Sequence, residues 1–111
     1  MGIDKNLVQG SMALLLLRLL ETKDMYGYEM IEALRSKSNN VFELKAGTLY
    51  QLLHSLESKG YVRSYEDASS GKKRRYYQLT EAGRHHSSEK KQEWMAYQAA
   101  VSNVLSFEGG I

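Results

Sequence analysis

KAGTLYQLLHSLESKGYV, residues 45–62, places Leu49, Leu52, Leu53 and Leu56 at i, i+3, i+4 and i+7. All four leucines then share one side of a helix, and that side needs a core to cover it. The opposite side carries Gly47, Tyr50, Gln51, His54, Ser55 and Ser58, which is polar without being densely charged. Gly60 stands where a left-handed residue closes a helix, so the spacing predicts a helix over Ala46 to Lys59.

Downstream, YVRSYE (61–66) and RRYYQLT (74–80) are rich in Tyr and Val and flank a loop containing Gly71. That pattern predicts a β-hairpin with a loop longer than the tight two-residue type. Thr80 suits an N-cap and Glu81 the first turn of a last helix, which runs to about Phe107. Upstream, residues 4–10 read as a short helical lead-in capped by Asp4, and Ser11 to Glu21 as a long helix. Polar TKD (22–24) breaks the chain. A second helix follows from Tyr26 to Ser36 with Met30, Ile31 and Leu34 on one side. Ser38-Asn39-Asn40 supplies turn chemistry, and Val41 to Leu44 reads as a short strand.

Three helices followed by a hairpin is the order of a winged helix-turn-helix module, mainly α with a small β-hairpin. The last helix is additional. At about 27 residues and 1.5 Å per residue it spans roughly 40 Å, more than a small domain needs. The expected division is a DNA-binding domain over 1–80, including the N-terminal helix, and a C-terminal dimerisation helix over 81–111.

The composition narrows the class. The chain has 111 residues, enough for one core, with 42% hydrophobic and 25% charged residues, as in soluble globular proteins. Cysteine is absent, which excludes a disulfide framework and thiolate metal sites and fits a reducing compartment. The most apolar run, MALLLLRLL (12–20), is broken by Arg18 and falls well short of the roughly 20 residues of a membrane span. No small-residue cleavage site follows it, and MGIDKN carries Asn6 where a myristoylation signal wants Ser or Thr. The expected location is cytoplasmic, with no membrane contact. His85 and His86, adjacent on a helix, point about 100° apart and do not converge on a metal; a surface position is expected for both. No glycine-rich phosphate loop, G-x-S-x-G or H-E-x-x-H occurs. The expectation is a non-enzyme without cofactor or metal.

The net charge of +2 alone argues for no partner. Its distribution does. Between Arg63 and Tyr76, five basic residues face two acidic ones, a net of +3 that exceeds the whole chain's. Lys72, Lys73, Arg74 and Arg75 gather around the hairpin loop, where a wing tip lies along phosphates or enters the minor groove. On the helix before it, Gln51 has the donor and acceptor pair for adenine N6/N7. Thr48 and Tyr50 suit phosphate, His54 either partner, and Lys45 a phosphate just ahead of the helix.

YGYEMIEAL (26–34), AGTLYQLLHSLESKGYV (46–62) and GKKRRYYQLTEAG (71–83) together resemble the PadR family of bacterial transcription regulators. The likeness covers nearly the whole chain, and its single C-terminal helix is similar to the short subfamily that includes multidrug-responsive members. The resemblance implies a repressor that binds a palindromic DNA operator as a homodimer and is released by a small aromatic or phenolic effector. One departure is Gln51, where many members carry proline after G-T-L-Y; operator sequence therefore does not carry over.

Trp94, Tyr97, Val101, Val104 and Leu105 recur at helical spacing on the last helix and are the expected dimer interface. By resemblance, Trp94 with Leu7, Gly10, Leu14 and Arg18 lines an effector site at the dimer centre. Arg18 with Lys90 and Lys91 suits an anionic ligand, or else pairs with Glu89 and Glu93. The rival reading is a winged-helix protein-interaction module that does not bind DNA.

Overall fold

The computed structural model describes residues 10–109. Its elements are α1 (Met12–Thr22), β1 (Met25–Tyr26), α2 (Gly27–Lys37), α3 (Ala46–Ser58), β2 (Val62–Asp67), β3 (Arg74–Leu79) and α4 (Glu81–Ser106). The expected lead-in helix over 4–10, like Leu7 within it, lies outside the described residues apart from Gly10.

The leucine side of α3 is covered as its spacing requires. Leu49, Leu53 and Leu56 are buried and Leu52 partly so. They meet Leu16, Leu17 and Leu20 of α1, Met30 and Leu34 of α2, and Val62, Tyr77 and Leu79 of the sheet in one core. Gly60 closes α3 at φ 81°. The N–H of Tyr61 reaches Leu56 O at 3.0 Å and that of Gly60 reaches Glu57 O at 3.0 Å, a Schellman ending. Asn39 and Asn40 end α2 with positive φ, a conformation that asparagine tolerates better than most residues.

Two local expectations need correction. Val41 to Leu44 is not a strand. Phe42 and Leu44 do turn inward and Val41 and Glu43 outward, but among the described residues no strand lies alongside to accept their backbone groups. The short strand is β1 instead, in the stretch read as a break and a helix start. It pairs antiparallel with β3, Met25 opposite Tyr77 and Tyr26 opposite Tyr76, giving the sheet order β1-β3-β2.

In the β2–β3 hairpin, Val62 faces Leu79, Ser64 faces Tyr77 and Glu66 faces Arg75. Because strand side chains alternate, these pairs occupy the inner face, which begins in the core. Arg63, Tyr65 and Asp67 occupy the outer face with Gln78, Tyr76 and Arg74.

Among the described residues, helix α4 is fastened by hydrogen bonds to the rest of the fold only at its start. Thr80 Oγ1 accepts from the Gly83 N–H at 3.0 Å and donates to Gly60 O at 2.7 Å, so one side chain caps α4 and ties it to the end of α3. Buried Ser87 donates to Glu21 of α1 at 2.5 Å. From Ser88 to Ala100 every residue is exposed. The long axis is therefore 64 Å and the radius of gyration 16.4 Å, against about 13 Å for a compact chain of this length.

Candidate nucleic-acid interface

Thr48, Tyr50, Gln51 and His54 all stand exposed on the side of α3 away from the core, with Lys45 exposed just before them. Among the described residues no side chain caps this helix, so its first N–H groups are open to an outside acceptor. Tyr50 has a second role. Gly27, buried at the start of α2, leaves no room for a Cβ beside the Tyr50 hydroxyl, so the ring rests on the α2 backbone while staying 48% exposed. Reading the sequence did not single out Gly27; a glycine opening a helix was the available signal.

The wing loop is built from local bonds. Asp67 accepts from the Ser69 N–H at 2.8 Å, which holds its carboxyl below the usual carboxylate range. The N–H of Gly71, at φ 88°, reaches Ala68 O at 2.9 Å. The four basic residues of this segment differ in their surroundings. Lys72 has no hydrogen bond or ion pair to its side chain among the described residues. Lys73 pairs with Glu66 at 3.0 Å across an exposed gap. The guanidinium of Arg74 lies 4.4 Å above the ring centre of Tyr26. Arg75 donates to Ser64 Oγ at 2.7 Å.

The outer face carries a row of tyrosines across all three strands. Tyr26 meets Tyr76 edge-on at 5.5 Å, and Tyr76 stacks with Tyr65 at 5.8 Å. The Tyr65 hydroxyl donates to Asp24 at 2.6 Å, and this bond to a carboxylate pushes its pKa up to about 12. Gln78 also donates to Asp24, at 3.3 Å, and accepts from Arg63 at 2.8 Å. Sequence spacing did not reveal this network, because Asp24 is 41 residues from Tyr65.

The residues expected at an effector site are partly brought together. Gly10, Leu14 and Trp94 line one depression of 360 Å³ between α1 and α4, with Leu17, His86 and Tyr97 also on its wall. Arg18 is not on that wall; it pairs with Glu21 at 3.3 Å, rather than with Glu89 or Glu93. Glu89 takes His85 at 3.2 Å and Glu93 takes Lys90 at 3.4 Å. The expectation of a surface position for both histidines fails for His86, which is half-buried and stacked on Tyr61 at 4.0 Å and 9°. The tight approach of α4 to Tyr61 places it there. Farther along α4, Trp94 is 43% exposed, Tyr97, Val104 and Leu105 are more exposed still, and Val101 is half-buried.

Among the described residues no three His, Asp or Glu side chains converge on a metal-sized space, and no helix is long and apolar enough to cross a membrane.

A core of three helices, a basic hairpin packed beside the third, and a long appended helix define a winged-helix protein. The chain belongs to the PadR-like family of transcriptional regulators, whose family model matches residues 16–89. It is similar to a transcriptional regulator from Clostridium thermocellum, 30% identical with a TM-score of 0.84, over 91% of this chain and 96% of that one. A PadR family transcription regulator from Clostridium difficile is 38% identical with a TM-score of 0.75, over 86% and 99% of the two chains. An uncharacterised protein X from Lysinibacillus sphaericus is 37% identical over 93 residues, 83% of this chain and 85% of that protein.

Proposed function

We propose that this chain is a DNA-binding repressor that acts as a homodimer on a palindromic operator and is released by a small aromatic or phenolic effector. The observation that carries the DNA reading is the pairing of two exposed surfaces on adjacent elements. One is the polar side of α3, with Thr48, Tyr50, Gln51 and His54; the other is a basic hairpin joined to the same helix. Gln51 reads a base edge, Thr48 and Lys45 hold phosphate, and Lys72 leads the wing's contact with the backbone.

The dimer reading rests on α4. An apolar row that leaves the core and stays largely exposed is covered by a second copy, and two copies supply the two-fold symmetry that a palindrome mirrors. The effector reading rests on the depression beside Trp94. Residues 1–80 are thus the DNA-binding part and 81–111 the dimerisation part. Selection of bound fragments from sheared genomic DNA with the purified protein tests the central reading. A shared palindrome among the recovered fragments supports it; no enrichment of any fragment overturns it. Titrating planar aromatic compounds against Trp94 fluorescence tests the effector, since a flat response to a broad set leaves the depression without a ligand role.

A further inference from the structure

The two wing arginines point to opposite faces of the hairpin. Arg74 shares the outer face with Tyr76 and lies on Tyr26. Arg75 shares the inner face with Ser64 and Tyr77. Its guanidinium donates to Ser64 Oγ at 2.7 Å, and that hydroxyl donates in turn to Glu57 Oε2 at 2.9 Å. Glu57 belongs to the last turn of α3. One continuous chain of bonds therefore runs from β3 through β2 to the helix that carries Gln51. A hydroxyl accepting from a cation while donating to an anion is polarised at both ends, so each bond strengthens the other. Ser64 and Glu57 are half-buried, which limits screening by solvent at the helix end of the chain, while Arg75 at its other end is exposed.

We propose that Arg75, Ser64 and Glu57 form a strut that fixes the angle between the wing and the recognition helix, and that they are positioning residues for operator discrimination rather than phosphate contacts. This rests on the DNA-binding reading above. The two roles have different signatures. Loss of a phosphate contact weakens binding to every sequence alike and lowers the salt slope by about 0.9. Loss of the strut leaves phosphates reachable but lets α3 and the wing drift relative to each other. The cost then falls on the sequence whose base edges must be met in register.

The full chain is titrated by fluorescence anisotropy against two labelled duplexes over a salt series. One carries the site selected from a random duplex library; the other is its scrambled counterpart. Ser64→Ala changes no charge. It is expected to lose about tenfold on the selected duplex, the scale of a charge-assisted hydrogen bond, while keeping the affinity for the scrambled duplex and the salt slope. Ser64→Thr, which retains the hydroxyl, is expected to keep the wild-type discrimination. Adding Ser64→Ala to Arg75→Ala is expected to cost nothing beyond Arg75→Ala alone. Unchanged discrimination in Ser64→Ala overturns the strut. So does an Arg75→Ala variant that weakens both duplexes equally with a shallower slope. If wild type does not distinguish the duplexes at all, the DNA reading itself fails, and the strut with it.

Discussion

Gly27 and Gly83 are both buried helical glycines whose Cβ positions are occupied, yet the obstacle differs. At Gly83 it is the backbone carbonyl of Tyr61, which is itself bound by the Thr80 N–H at 3.0 Å and cannot give way. Gly83→Ala gains helix propensity of about 1 kcal/mol but forces α4 off its seat. A net loss of about 2 kcal/mol is expected, read as a fall of roughly 10 °C in melting temperature. At Gly27 the obstacle is the outer end of the Tyr50 ring, which is free to swing into solvent. Gly27→Ala is therefore expected to cost under about 1 kcal/mol. Equal losses at the two sites in thermal melts would contradict this distinction. Tyr65 gives a prediction in pH. Its pKa is raised in the folded state, so the Asp24 bond contributes fully below the ordinary tyrosine value of 10.0 and is lost as pH climbs through about 12. In a titration of tyrosinate absorbance, Tyr65→Phe should remove a late-titrating phase.

Among the elements, the helices were the most legible from sequence. The leucine spacing of α3, the glycine after it and the threonine before α4 each name their own local geometry. What failed depended on distant neighbours. Val41 to Leu44 has the alternation of a strand and even the inward and outward faces of one, but sheet membership needs a partner backbone. Met25 and Tyr26 have such a partner in β3, from residues some fifty positions later. The candidate interface divides similarly. The exposure of Thr48, Gln51 and His54 followed from one helical period. The different settings of Lys73, Arg74 and Arg75 followed from Glu66, Tyr26 and Ser64, which no periodicity connects to them. Helix α4 supports a prediction at this scale. Val104→Glu with Leu105→Glu places charges on its most exposed apolar stretch; on the dimer reading above, the wild type is expected to sediment as dimer and this variant as monomer. An unchanged dimer would relocate the interface.

For the molecule as a whole, electrostatics are local rather than global. A net charge of +2 gives little long-range attraction, so the hairpin is expected to dominate the salt dependence of DNA affinity. Lys72, the wing cation free of side-chain partners among the described residues, should account for about 0.9 of the log–log slope, measured by comparing Lys72→Ala with wild type. A slope unchanged by that substitution would place the wing away from the phosphates. The attachment of α4 has a mechanical consequence. Among the described residues the helix is clamped over its first two turns, by Thr80, Gly83, His86 and Ser87, and the roughly 28 Å beyond Ser87 is largely exposed, meeting α1 across the depression beside Trp94. It works as a lever with its fulcrum at Tyr61, immediately after the glycine that ends the recognition helix. A tilt of about 5° at the fulcrum moves the far end by about 2.5 Å over that length. In the dimer proposed above, a modest shift at those far ends is expected to arrive at the recognition helices as a small rotation. Adjacent base pairs lie about 3.4 Å apart, so across the proposed two-fold axis that rotation is expected to change which of them the paired helices reach together.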